Sequence, residues 1–348
     1  MRRLLCIVIT VLLLTTSAHA APLPDFLPEG LAEAMEGEAL SGGVTWLAET
    51  ARTALRDMAR EAVRGAALLA LVAIICGAAE GLAEGAGDAA ARYVPYCGVL
   101  AATALAAGDL KSLIGLGAQT VDELGTLAKL LLPTLSAAMA AGGFVSTAGV
   151  WQVTTLMVCD LLSDLTARLL LPLVYCYIAA AAAGAMLDES RLDLLADGIE
   201  KLVTGALTAL VTAFTAYLTL AGVLTGSADR TAVRVAKLTL SGTVPVVGGV
   251  LSDAAESVLA AAGTLRGTVG AAGVFAIGAV CLVPLLRLGL QFLLYRLAAF
   301  AAGLVGSKAL GEYLDRLGGA FALVFAMTAA CALLLLVALL VATAMAAV

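Results

Sequence analysis

The stretch Leu317–Val341, LGGAFALVFAMTAACALLLLVALLV, contains no charged residue over 25 positions. A helix needs about 20 apolar residues to cross the hydrocarbon layer of a bilayer. Within lipid, a helix also satisfies its backbone hydrogen bonds inside its own segment. The stretch therefore predicts a membrane-spanning helix, and similar stretches recur along most of the chain.

Eight further apolar stretches extend this pattern. Two of them, near residues 93–108 and 144–159, are short for a full crossing and are compatible with tilted, half-inserted or re-entrant helices. The sequence thus predicts an all-α, polytopic transmembrane bundle with seven to nine spans, and leaves the side of the C-terminus open. The eight stretches are Gly65–Leu82, Tyr93–Gly108, Leu124–Gly142, Phe144–Cys159, Leu169–Leu187, Leu202–Thr225, Thr268–Leu286 and Leu288–Ser307.

The composition excludes a soluble domain. Of the 348 residues, 62% are hydrophobic and 13% are charged, and the mean hydropathy is +1.04. Soluble domains have about half apolar and about a quarter charged residues. A soluble fold of this size cannot bury so much apolar surface, so lipid must cover part of it.

Residues 1–20 have the pattern of a secretion signal. Arg2 and Arg3 precede the short apolar run Leu4–Leu14, and Ala18-His19-Ala20 supplies a small-x-small cleavage site. Cleavage would place the mature N-terminus outside the cytoplasm; an uncleaved first anchor is the alternative. His19 is the only histidine, so the processed chain would lack a Ser-His-Asp or Cys-His site. No motif marks an intramembrane enzyme, a metal site or a cofactor site.

The cysteines and glycines of the apolar stretches have structural interpretations. Six cysteines outside the signal each stand alone, and we expect buried, unpaired thiols. Gly77, Gly81 and Gly85 follow four-residue spacing, which predicts a close helix-packing face. Five prolines lie within apolar stretches and predict kinked or broken helices: Pro95, Pro133, Pro172, Pro245 and Pro284.

The chain divides into five predicted regions. After the signal, residues 21–64 form an extracytoplasmic acidic tail and an amphipathic helix, Val44–Arg64, expected at the membrane interface. Residues 65–225 form an N-terminal membrane bundle, 226–267 an amphipathic or re-entrant segment, and 268–348 the C-terminal spans.

Charges inside the spans need partners. Asp160, Asp164 and Arg168 are one turn apart and predict a local ladder of ion pairs. Arg296 divides two uncharged runs. It lies either deep in the membrane, where an arginine is a functional candidate by default, or on a helix 285–296 that lies flat at the interface.

The segment 226–267 does not have the sequence pattern of a simple membrane-spanning helix. On a helix, Arg230, Arg234 and Lys237 share one face. The uncharged run LTLSGTVPVVGGVLS, residues 238–252, contains Pro245, and Asp253 and Glu256 follow it on one face. The pattern fits an interfacial helical hairpin or a loop that lines a conduction path.

Asp229–Val258, DRTAVRVAKLTLSGTVPVVGGVLSDAAESV, resembles the stage III sporulation protein AE family of endospore-forming bacteria, as does Leu131–Ser146, LLPTLSAAMAAGGFVS. The resemblance implies a multi-pass protein of the mother-cell membrane that surrounds the forespore. It also implies a place in a secretion-like channel complex with other stage III A operon proteins and the forespore protein Q. No catalytic residues and no cofactor come with it.

The sequence therefore favours a membrane component of that complex, either a conduit or an assembly platform. The candidate partner or pore residues are Arg230, Arg234, Lys237, Pro245, Asp253, Glu256 and Arg296. If this face docks a partner, Arg234→Ala should weaken complex assembly or sporulation. The alternative is an autonomous secondary transporter of small solutes, which calls for an internal repeat with matched broken helices.

Overall fold

The structure is a computed structural model, and it describes residues 39–83, 88–141, 145–187, 190–224, 268–305 and 307–346. These residues are helical almost throughout, which confirms the all-α prediction. The signal peptide, the acidic tail and segment 226–267 lie outside the described residues. The helices are α1 (Ala39–Ala83), α2 (Asp88–Ala141), α3 (Val145–Leu165), α4 (Leu171–Leu187), α5 (Ser190–Leu224), α6 (Thr268–Val305) and α7 (Lys308–Ala346).

Six helical stretches among the described residues are long and apolar enough to cross a membrane. The predicted seven to nine spans are not confirmed, because three pairs of predicted spans fall on continuous helices. α2 contains the second and third predicted spans, and α6 contains the seventh and eighth. Pro95, Pro133 and Pro284 lie inside these helices without ending them.

The third pair of predicted spans is joined by a widened turn. Residues Thr166–Leu170 form one π-helical turn between α3 and α4, and the Leu171 N–H donates to the Thr166 carbonyl. Pro172 lies two residues after Leu170, the last residue of this turn, and has no N–H to donate to the turn before it. The widened turn thus lies where proline removes a helical hydrogen bond, and the helix axis continues through it.

α7 lies at the centre of the bundle, because it packs against α2, α3, α4, α5 and α6. Its side chains Tyr313, Leu317 and Phe321 are fully buried. α6 and α7 form an antiparallel hairpin: a methyl group at Gly273 would lie 2.7 Å from the Leu339 side chain, and one at Gly311 would lie 3.3 Å from the Ala299 carbonyl oxygen.

α1 runs parallel to α6 along most of its length. A methyl group at Gly43 would lie 2.6 Å from the Phe275 ring, and one at Gly77 would lie 2.8 Å from the Val305 carbonyl oxygen. The predicted amphipathic helix 44–64 is helical, but it is continuous with the first predicted span. Its apolar side chains pack on α6: a methyl group at Gly278 would lie 3.4 Å from the Leu47 side chain.

One group of exposed apolar side chains lies on α1, α2 and α6, in the parts of these helices that lie towards the α6–α7 turn. We call this surface the apolar band. Its α1 and α2 parts fall in the uncharged runs 65–79 and 93–108, and the 16-residue run is about 24 Å long at 1.5 Å per residue. The band comprises Leu68, Leu71, Ile74 and Ile75 of α1, Leu100 and Leu105 of α2, and Leu293, Leu297, Phe300 and Leu304 of α6.

Candidate functional site

Arg316 on α7 contacts two carboxylates at once. Its Nη2 lies 3.1 Å from Asp193 Oδ1, and its Nη1 donates to Asp197 Oδ1 at 2.9 Å. Only 23% of the Arg316 side chain is exposed. One guanidinium therefore joins the central helix to two carboxylates one turn apart on α5.

Local sequence explains how these groups come together. Asp193 lies in the first turn of α5, where a carboxylate is favoured by the helix dipole. Gly184 leaves room for it, because a methyl group there would lie 3.0 Å from Asp193 Oδ1. Gly319 leaves room for the buried Tyr177 hydroxyl, which lies 2.6 Å from the equivalent position.

Arg296, the predicted intramembrane candidate, pairs with the residue next to Arg316. Its Nε lies 3.2 Å from Asp315 Oδ1, and its guanidinium carbon lies 5.4 Å from the centre of the Phe292 ring. Slightly more than half of the Arg296 side chain is exposed. The charge partner of Arg296 thus lies on the neighbouring helix α7. Residues 285–296 are an internal part of α6 and not a separate helix at the membrane surface.

A polar cleft of about 390 Å³ opens between α1, α2 and α6. Gln291 Nε2 donates to Asp109 Oδ2 at 2.8 Å and joins α6 to α2. Arg64 of α1 and Arg287 of α6 line the same cleft, so among the described side chains two cations and one carboxylate share it. The remaining walls are mainly apolar and include Leu68 and Leu105 of the apolar band.

Comparison of the sequence with known protein families gives a match over most of the chain. The sequence pattern of the stage III sporulation protein AE family matches residues 35–346. The chain belongs to that family. A stage III sporulation protein AE of Bacillus subtilis (strain 168) is 23% identical over 235 residues, which are 68% of this chain and 59% of the relative. The matched region therefore spans less than two thirds of that relative, and no solved structure matches the chain.

The family match confirms the resemblance found in the sequence. The structure, however, does not describe six of the seven candidate residues. Arg230, Arg234, Lys237, Pro245, Asp253 and Glu256 lie outside the described residues, so their roles stay predictions. Arg296 is the candidate that the structure describes. The sequence analysis missed Arg316, Asp193 and Asp109. Each lies outside the predicted spans, where a charge looks like a solvated group until its partner on another helix is known.

A buried polar junction closes the end of the bundle near the α6–α7 turn. Ser307, which is fully buried, donates to Glu80 Oε1 at 2.6 Å. The Cys76 thiol lies 3.4 Å from the same oxygen and 3.8 Å from Ser307 Oγ. Glu80 thus binds α1 to the turn between α6 and α7.

The predicted Asp160–Asp164–Arg168 ladder is half present. Arg168 Nε lies 3.3 Å from Asp164 Oδ1, whereas Asp160 pairs with Lys129 of α2 at 3.0 Å. These four side chains are mostly exposed. Such pairs contribute at most about 1 kcal/mol each.

Four buried polar atoms on α3 and the π turn have no hydrogen-bond partner among the described residues. They are Trp151 Nε1, Thr155 Oγ1, Ser163 Oγ and Thr166 Oγ1. Ser163 and Thr166 line a small cavity of about 50 Å³. A cavity of this size has room for ordered water.

The structure confirms the predicted burial for four of the six cysteines and the predicted close packing for Gly77, but not for Cys97, Cys176 and Gly81. Cys76, Cys159, Cys281 and Cys331 are buried and unpaired, while Cys97 and Cys176 are exposed. Gly77 packs tightly on α6, but no described atom lies within 4 Å of a methyl group at Gly81. Among the described residues, no group of three His, Cys, Asp or Glu side chains is placed to hold a metal ion.

Proposed function

We propose that this protein is an integral membrane component of the channel complex that links the mother cell to the forespore and is needed for endospore formation. The observation that carries the proposal is the family match over residues 35–346, which covers most of the chain. The family's description names a sporulation protein and no reaction. We therefore assign the chain a non-enzymatic role.

The apolar surface supports placement in a membrane. The apolar band has large side chains exposed on three neighbouring helices, and a surface of this kind is stable when lipid or another protein covers it. Six described helices have the length and hydropathy of spans. We place the protein in the mother-cell membrane that surrounds the forespore, with a processed, extracytoplasmic N-terminus and the six described helical stretches as candidate crossings.

The packing of α7 favours a platform over a conduit. The centre of the bundle is filled by buried side chains of α7, such as Leu314, Leu317 and Phe321. A solute path along that axis would require these side chains to leave their packed positions. The proposed role is therefore a membrane platform on which stage III A operon proteins assemble and meet the forespore protein Q. Nothing in the described helices favours the transporter alternative.

Deletion of the gene in the native sporulating host tests the role. We expect the deletion strain to form few heat-resistant spores and an intact gene copy to restore them. Affinity purification of the tagged full chain from sporulating membranes should recover the other operon proteins. A deletion strain with a normal yield of heat-resistant spores would overturn the proposal.

A further inference from the structure

We propose that the small cavity between α2 and the π turn binds a monovalent cation, with the Asp122 carboxylate and the Ser163 and Thr166 hydroxyls as ligands. These three residues line the cavity. Carboxylates and hydroxyls present oxygen atoms, which are the ligands that hard cations prefer. A cation held there would join α2 to the end of α3.

The two hydroxyl groups point to a ligand because both are buried and lack a partner. Ser163 Oγ and Thr166 Oγ1 make no hydrogen bond to the described residues, and Thr166 as a whole is 1% exposed. Hydroxyls in a helix commonly donate to a carbonyl one turn earlier, as Thr120 does to Leu116 at 2.8 Å. A buried hydroxyl without any partner costs free energy, and a bound cation would remove that cost.

Helix geometry brings the carboxylate and the hydroxyls to the same cavity. Ser163 and Thr166 are three residues apart, on one face of α3 and its π turn. On α2, Gly125 lies three residues after Asp122, and a methyl group at Gly125 would lie 3.2 Å from Ser163 Oγ. The Ser163 hydroxyl therefore faces the part of α2 that carries Asp122.

The π turn offers a backbone oxygen at the cavity wall. Its hydrogen bond runs from the Leu171 N–H to the Thr166 carbonyl, and the next acceptor in that pattern is the Ala167 carbonyl. The matching donor would be residue 172, which is a proline and has no N–H. Ala167 lines the cavity. Carbonyls released in this way at irregular turns of membrane helices are suited to coordinating sodium.

The size and charge of the cavity suit a small monovalent ion. Its volume of about 50 Å³ compares with about 30 Å³ for one water molecule in the liquid. Asp122 is the one charged side chain among the described residues that line it. Lys129, two turns further along α2, pairs with Asp160 at 3.0 Å and does not line the cavity. Calcium sites commonly use several carboxylates, so this set of ligands favours sodium.

The inference concerns ion binding and does not rest on the sporulation role. It is tested on the purified full chain in mild detergent, by titration with sodium chloride against choline chloride at constant ionic strength. The readouts are retention of radioactive sodium by the immobilised protein and the thermal midpoint. We expect saturable retention of sodium, and a midpoint that rises with sodium and not with choline, which is too bulky for the cavity.

Asp122→Asn should weaken sodium binding about tenfold or more, because it removes the negative charge beside the ion. Glu123→Gln is the matched control. Glu123 is the next residue of the same helix and carries the same charge, but its carboxylate accepts from Gln119 Nε2 at 2.7 Å and does not line the cavity. Sodium binding to this control should stay as in the wild type.

Thr166→Val distinguishes a cation from ordered water, since it replaces one buried hydroxyl with a methyl group of similar size. We expect a smaller sodium-dependent rise, and a midpoint in choline equal to or above that of the wild type, because the hydroxyl is unsatisfied without the cation. A midpoint lowered equally in both salts would mean that water alone binds the hydroxyl. If the variant fails to fold, the comparison of sodium with choline on the wild-type chain still decides.

Three further outcomes would overturn the inference. Equal midpoints of the wild type in sodium and choline, with no sodium retained, would assign the cavity to water. Equal loss of binding in Glu123→Gln and Asp122→Asn would show a diffuse charge effect. Displacement of sodium by micromolar calcium, dependent on Asp122, would identify a divalent site instead. Each of these results leaves the spore count of the deletion strain unaffected, so the two proposals fail separately.

Discussion

At the scale of single residues, Arg316 is the charge whose loss should matter most for stability. Arg316→Met keeps much of the side-chain volume but leaves Asp193 and Asp197 without their cation. Breaking a fully buried pair costs about 3–5 kcal/mol. Because the two carboxylates are nearly half exposed, we expect a smaller loss of about 1–3 kcal/mol, seen as a lower thermal midpoint in detergent.

Arg168→Met provides the control for that experiment. Arg168 also pairs with an aspartate, but its side chain is 79% exposed, so the change should cost less than about 1 kcal/mol. Replacing Asp193 and Asp197 by Asn in the Arg316→Met background should recover part of the loss. Equal shifts in the Arg316 and Arg168 variants would contradict the assignment of Arg316 as a structural ion pair.

Ser307 provides a second test at this scale. Ser307→Ala removes the hydroxyl that donates to Glu80 at 2.6 Å in a buried position, and we expect a loss of about 1–3 kcal/mol. Thr204→Ala is the control, because the exposed Thr204 hydroxyl bonds carbonyls of its own helix turn, those of Glu200 and Lys201. A thermal midpoint unchanged by Ser307→Ala would show that the bond to Glu80 contributes nothing.

At the scale of elements, the glycines of α1 test its packing on α6. Alanine at Gly77 would meet the Val305 carbonyl oxygen at 2.8 Å, whereas alanine at Gly81, one turn later, would meet no described atom within 4 Å. Both changes gain the same helix propensity, about 1 kcal/mol. The difference between the two variants therefore isolates the clash, which we expect to be about 1–3 kcal/mol against Gly77→Ala.

The measurement is the thermal midpoint of both variants in the same detergent. We expect Gly81→Ala to equal or exceed the wild type and Gly77→Ala to fall below it. The reverse order would mean that α1 does not approach α6 at Gly77. The four-residue glycine spacing predicted a packing face, but it could not show which of its glycines makes the contact, since that depends on the partner helix.

At the scale of the whole molecule, the direction of α1 relative to α6 can be tested by cross-linking. Cysteines at Leu47 and Gly278, in a chain whose native cysteines are replaced, should react with a short bis-maleimide cross-linker, which forms a thioether with each thiol. A protease site within residues 225–267 then allows the cross-link to be read as two halves that stay together on a gel. Parallel packing predicts efficient cross-linking of this pair.

The control pair uses Val305, at the far end of the same helix, in place of Gly278. Leu47→Cys with Val305→Cys should not react, because 27 residues of α6 separate Gly278 from Val305, about 40 Å along a helix. Cross-linking of the control pair and not of the test pair would mean that α1 runs in the opposite direction. It would also remove the cleft, whose walls need α1 beside α6 in this register.

How much of the fold followed from the sequence differs between elements. Leu317–Val341 was predicted as a helix, and it lies inside α7. Thr268–Leu286 and Leu288–Ser307 were predicted as separate spans, divided at Arg287. The structure joins them in α6, since a helix tolerates one proline and an arginine that can reach the surface.

The sequence by itself determined that the chain is helical and needs lipid, because hydropathy and helix propensity act over a few neighbouring residues. It also identified the family, whose sequence pattern matches residues 35–346. Only the tertiary structure decided that Arg316 binds two aspartates of α5, that Asp160 pairs with Lys129, and that Arg64 and Arg287 share a cleft. Those contacts depend on which helix faces lie together and in which direction, and the residues involved are far apart in the chain.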